Sequence, residues 1–118
     1  MHRTAWGRKL REVARELGRI TFTNHARSRH PKAGKMPIDI RTAQACLREG
    51  VVIEGPSRDI KLIDGWKGKV SRDADGMVTE VACVLVLDEE DGDWILVITG
   101  YQCVPARRSG RKRPDRNA

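Results

Sequence analysis

Apolar residues recur at helical spacing near the start of the chain, where Trp6, Leu10, Val13, Ala14 and Leu17 fall at steps of four, three, one and three. They form one face of an amphipathic helix and predict a helix from Thr4 to Leu17, capped by Thr4 and ended by Gly18. Ile20-Thr21-Phe22-Thr23 then alternates in the manner of a short strand. Asn24 is suited to cap a helical turn or two over His25 to His30, which Pro31 terminates. A second helical stripe, Ile40, Ala43, Cys46 and Leu47, begins after the capping residue Asp39 and closes at Gly50.

Beyond Gly50 the period changes from helix to strand. Val51-Val52-Ile53 predicts a strand leading to a Gly55-Pro56 turn, Ile60-Lys61-Leu62-Ile63 a second strand, and Trp66 to Val70 a third that ends in a polar turn at Asp75-Gly76. The two strongest strand signals, Val78 to Leu87 and Trp94 to Tyr101, are joined by the acidic loop Asp88 to Asp93. Asp-Gly pairs between apolar runs, at Asp64-Gly65, Asp75-Gly76 and Asp91-Gly92, indicate antiparallel turns. Helices first and strands after is the order of an α+β fold, with N-terminal helices packed on one face of a mainly antiparallel sheet of four to five strands. The expected organisation is an N-terminal amphipathic helix over 1–19, an α+β domain over 20–104 and a flexible basic tail over 105–118.

Length and composition narrow this only slightly, since 118 residues suit one core. Charge changes the picture more. The net charge is +7, but its distribution is uneven: residues 1–20 carry six Lys/Arg against two acids, residues 21–35 four against none, and residues 106–118 six against one. The stretch between, 36–105, has seven basic and thirteen acidic residues. Segregation of positive charge to the two ends predicts a basic face if they converge in space, and a polyanionic partner for it.

Cys46, Cys83 and Cys103 are odd in number and lack metal-ligand spacing, so reduced core thiols in a cytoplasmic protein are expected. No apolar run approaches the ~20 residues of a membrane span, and Met1 to Gly18 interleaves charged with apolar residues, so neither membrane insertion nor export by a standard signal is expected. Neither a zinc pattern nor a Gly-rich phosphate loop occurs, and no cofactor is expected. Asp73-x-Asp75-Gly76 has its Gly two residues early for a calcium loop and reads as a hairpin turn.

The densest candidate chemistry lies in His25-Ala26-Arg27-Ser28-Arg29-His30. On a helix His25, Ser28 and Arg29 share a face, and the unsatisfied N–H groups of the first turn add an anion-binding element. Histidine exchanges a proton near neutral pH, and arginine binds a phosphate through two parallel hydrogen bonds. A short segment rich in His and Arg is more often a solvated helix face or a helix cap than a catalytic site, and spacing alone leaves both readings open.

The order Thr23-x-His25-Ala26-x-x-Arg29, then Ile38-Asp39 before a helix ending Leu47-x-x-Gly50, then Ile98-Thr99-Gly100-Tyr101 on the last strand, resembles a family of small bacterial domains of unknown function. Those domains are similar to the BrnT and RelE type toxins, metal-independent ribonucleases of toxin–antitoxin systems. The resemblance covers about residues 20 to 102 and implies a RelE-like sheet, a ribonuclease site at His25, Arg29 and Tyr101, and Thr99 beside it. The family places a second Arg shortly after the first, where this chain has the longer stretch Pro31-Lys32-Ala33-Gly34-Lys35-Met36-Pro37. Lys32 or Lys35 would stand in as a point charge without the bidentate fork.

Three functions follow as expectations. In the first, a metal-independent endoribonuclease, His25 serves as general acid or base, Arg27 and Arg29 clamp phosphate with Ser28 beside them, and Tyr101 orients or protonates. In the second, a nucleic-acid-binding module without catalysis, phosphates are neutralised by Arg27, Lys32, Lys35 and the tail residues Arg107, Arg108, Arg111, Lys112 and Arg113. Aromatic residues are only 4% of the chain, so base stacking is a poor primary mode, and Trp6, Trp66 and Trp94 are better placed in a core. The third is a protein-interaction role. The expected partners are RNA, free or on the ribosome, and an acidic antitoxin protein.

Overall fold

Residues 1–27 and 34–104 are described by a computed structural model of the chain. Helix α1 spans Arg3–Val13, a 3-10 turn follows at Leu17–Arg19, strand β1 is Ile20–Phe22, α2 is Asn24–Arg27, and α3 is Ile40–Glu49. Four strands complete the chain: β2 Val51–Asp59, β3 Gly65–Ala74, β4 Met77–Val86 and β5 Trp94–Cys103. The sheet order is β1-β5-β4-β3-β2, antiparallel throughout except that β1 runs parallel to β5. This is the α+β fold predicted from patterning, with five strands.

Several local expectations are corrected. Helix α1 starts one residue earlier than predicted, with His2 rather than Thr4 at its N-cap, and stops at Val13 instead of Leu17. Ala14 N–H still bonds to the Leu10 carbonyl, and Glu16 then adopts extended backbone, which turns the chain into the 3-10 segment. Gly55-Pro56 does not end β2 but lies within it as an irregularity, its peptide bond cis and its Gly55 at φ 84°. The predicted strand Ile60 to Ile63 is the loop between β2 and β3, with Ile60 and Leu62 exposed. Its alternation has no neighbouring strand to pair with, and Asp59 and Asp64 tie the bend instead: Lys61 N–H donates to Asp59, and Arg58 makes a bidentate pair with Asp64 at 2.6 and 3.0 Å.

The core lies between the helices and one sheet face. Trp6, Leu10 and Val13 of α1 and Ala43, Cys46 and Leu47 of α3 bury against Val70 on β3, Val81, Cys83 and Leu85 on β4, and Ile95 and Val97 on β5. Helix α3 is capped as predicted, Asp39 accepting a hydrogen bond from Thr42 N–H at 2.8 Å. Trp6 is fully buried, and its indole N–H donates to the Trp66 carbonyl at 3.0 Å. Its ring fills the space above Gly68, where a Cβ would stand 2.6 Å from the ring, so only glycine lets α1 approach β3 this closely. The thiols of Cys46, Cys83 and Cys103 are free, and burial pushes the Cys46 thiol up to about 12 and that of Cys83 up as well. Among the described residues no helix is long and apolar enough to cross a membrane.

Candidate functional site

The candidate site is built around a β-bulge. Along β5, Ile95 pairs with Leu85 and Val97 with Cys83, but Thr99 pairs with Ala82, so Ile98 is an extra residue opposite the Ala82/Cys83 step. Side chains alternate along a strand, and one inserted residue reverses which face each later residue occupies. Ile95 and Val97 therefore face the helices, as do Gly100, which packs on Ile38, and Gln102, whose amide donates to Thr79 at 3.1 Å. Without the bulge Thr99 and Tyr101 would continue the core series; with it they stand on the opposite face, beside Glu80 of β4.

The bulge also anchors α2. Thr23 Oγ1 donates to the Ile98 carbonyl at 3.1 Å and accepts from Ala26 N–H at 3.1 Å, while Thr23 N–H donates to the Val97 carbonyl at 3.0 Å. Thr23, not Asn24, is thus the N-cap of α2, and Asn24 lies inside the first turn. One hydroxyl links strand bulge and helix cap, and it fixes where His25 begins. His25 and Arg27 are exposed, with Ala26 between them turned into the core. Arg27 lines a shallow cleft of ≈ 420 Å³ with Phe22, Ile38 and Asp39, between β1 and the start of α3.

Tyr101 is half-buried and, among the described residues, meets Lys35 and Glu80. Met36 forms a single antiparallel bridge to Gln102, with reciprocal hydrogen bonds of 2.9 Å, along the edge of β5 beyond the end of β1. That bridge holds Lys35 with its ammonium 4.1 Å from the centre of the Tyr101 ring, a cation–π contact. The Tyr101 phenol is pushed up to about 12 by burial first, then by its hydrogen bond to Glu80 and that carboxylate's charge. At neutral pH it is a proton donor and not a base.

The structure therefore brings Lys35 over Tyr101, on the sheet face that Thr99 shares, and anchors the cap of the helix that carries His25 to the bulge immediately before them. Arg27 sits instead toward α3. Ser28, Arg29, His30 and Lys32, and the tail residues Arg107, Arg108, Arg111, Lys112 and Arg113, lie outside the described residues. Glu80 was missed in the sequence, although a lone carboxylate inside the apolar run Val78 to Leu87 was a visible signal. Among the described residues no three His, Cys, Asp or Glu side chains gather as metal ligands. Comparison of the chain with protein-family models, with curated proteins and with solved structures finds no match.

Proposed function

We propose that the chain is an RNA-directed, toxin-like domain that cleaves RNA without a metal ion at the bulged end of β5. The observation that carries this reading is the bulge at Ile98, which turns a protonated tyrosine out of the core beneath Lys35 and anchors the cap of His25's helix. In this reading His25 removes the proton from a ribose 2′-hydroxyl, the 2′ oxygen attacks the adjacent phosphorus, and the bond to the 5′ oxygen breaks. Tyr101 supplies a proton to that leaving oxygen, and Lys35 offsets the charge that develops on the phosphoryl oxygens. The products are a 2′,3′-cyclic phosphate and a 5′-hydroxyl. Arg29, marked by the resemblance to BrnT and RelE type toxins, would add a phosphate fork.

One general acid or base contributes about 10² to 10⁴ in rate, so charge stabilisation must supply a comparable share. Purified protein incubated with total RNA in EDTA should yield fragments carrying cyclic phosphate ends, and His25→Ala, an exposed substitution, should abolish them with the thermal melt unchanged. Equal cleavage by His25→Ala would remove the assignment. Intact RNA recovered in complex with the protein would leave binding without chemistry.

A further inference from the structure

Arg8 and Arg11 share the face of α1 turned away from buried Trp6, Leu10 and Val13, and Arg15 follows in the turn just past the helix end. Arg48, on the last turn of α3, joins them across a groove of ≈ 520 Å³. All four are exposed, and among the described residues none forms an ion pair. Like charges at this spacing destabilise a helix, whereas six of the eleven other described Lys and Arg residues have carboxylate partners: Lys9, Arg19, Arg58, Lys67, Lys69 and Arg72. Within the groove the one carboxylate is Glu12, and Lys9, which bonds Glu12 at 3.4 Å and Asp93 at 2.9 Å, already neutralises it. Among the described residues the groove thus concentrates four positive charges without counter-charge.

We infer that this groove is a second RNA contact, separate from the bulged end of β5, which holds the phosphates of a single strand by charge without reading its bases. Among the described residues no aromatic side chain lines the groove to stack a base, so the contact is with the backbone. Guanidinium groups suit it because their planar forks match phosphate oxygens. The inference rests on the RNA-directed reading for its ligand and is independent of cleavage.

The test uses the full chain and a labelled, 2′-O-methylated oligoribonucleotide, which has no 2′-hydroxyl to attack the chain and stays intact whatever the enzyme does. Binding is titrated at several salt concentrations for wild type, for the triple variant Arg11→Gln, Arg15→Gln, Arg48→Gln, for the matching triple Lys variant, and for Glu12→Gln. Because the Gln variant gives up three phosphate-neutralising charges, its log–log salt slope should become shallower by about 2, and its affinity near ~0.1 M salt should fall on the order of 100-fold. The Lys variant should retain most of the slope, and Glu12→Gln should bind more tightly. Thermal melts of each variant distinguish weakened binding from unfolding.

A Gln variant that melts as wild type and binds with unchanged slope overturns the groove and leaves the RNA-directed reading standing. Wild type that does not bind the oligonucleotide overturns both. A polyglutamate competitor that displaces the RNA at equal charge concentration, with the same dependence on the three arginines, would assign the groove to an acidic protein instead.

Discussion

The side chain whose environment says most is Tyr101, because several influences act on one hydroxyl in the same direction. Burial, the Glu80 hydrogen bond and the Glu80 charge all favour the neutral phenol and push it up to about 12. Tyr101 is the single tyrosine of the chain, so the appearance of phenolate absorbance on alkaline titration reports this group alone. Its midpoint should lie well above the ordinary ~10, and Glu80→Gln should bring it down, since both the bond and the charge are weakened. A midpoint near 10 in the folded protein would remove the basis for treating Tyr101 as a donor. Thr23 is the second residue with a double duty. Thr23→Val keeps the shape but loses the tie to Ile98 and the cap on Ala26, and should cost about 1 kcal/mol, in line with other helix-cap deletions, measured by chemical denaturation.

At this scale the sequence was informative about identity and poor about position. His25, Thr99 and Tyr101 could be singled out from residue order, but their relative placement depends on Ile98, an apolar residue in an apolar strand. Nothing in Trp94 to Tyr101 distinguishes a bulged residue from a paired one, because the bulge is a property of two strands in register. Glu80 was overlooked for the same reason: it matters only as the cross-strand partner of Tyr101. Lys35 was a candidate for its charge alone, and its position over the ring comes from the one-residue bridge at Met36.

Among the elements, α1 is the clearest case of periodicity predicting burial, and its end shows where periodicity stops. The stripe through Trp6, Leu10 and Val13 is the buried face, while Leu17 belongs to the next turn of chain and not to the helix. Trp6 locks α1 over Gly68, so Trp6→Ala should cost about 3–5 kcal/mol, a large part of the ~5–15 kcal/mol that holds a typical domain together. Denaturant midpoints would check this, and a loss below ~1 kcal/mol would mean that α1 is held by other contacts. The second clamp on this helix, Lys9 to Asp93 at 2.9 Å, is at the surface and contributes at most about 1 kcal/mol. It nonetheless sets the approach of the acidic loop, which Arg19 also grips through the carbonyls of Asp91 and Asp93 at 3.2 and 3.1 Å. That loop is bonded within itself as well: Asp88 accepts from Glu90 and Asp91 N–H. Ile60 to Ile63 marks the opposite outcome, since alternation without a strand to pair with gave a loop.

For the whole molecule, the ionisable groups set a stability window. Tyr101 and Cys46 have folded-state pKa values raised to about 12, above their unfolded values of roughly 10 and 8.5. The folded state therefore binds more protons than the unfolded one in alkaline solution, and stability falls with rising pH. The contribution is fully present below about 8.5 and is lost progressively up to about 12. On the acid side Asp39 and Asp93 are held below the usual carboxylate range, Asp39 chiefly by the Thr42 N–H and Asp93, against an opposing burial effect, chiefly by Lys9. Their contribution is present above about 4 and is lost as pH falls through the lowered values. Thermal melts across pH should show a plateau near neutrality with a decline on both sides, and Cys46→Ser should flatten the alkaline limb. An alkaline limb unchanged by that substitution would assign it elsewhere.

The parallel pairing of Ile20 with Ile95 and of Phe22 with Val97 joins the first strand to the last among the described residues. During translation β1 leaves the ribosome early, and its sheet partner is made 75 residues later, so the strand waits without a ladder until β5 has emerged. Thr23 waits too, because the carbonyls it binds belong to Val97 and Ile98. The end of the sheet that carries the candidate site is consequently the last to close. A nascent or prematurely terminated chain carries His25 but no assembled site, so any harmful activity located there would be withheld from the ribosome that is making it.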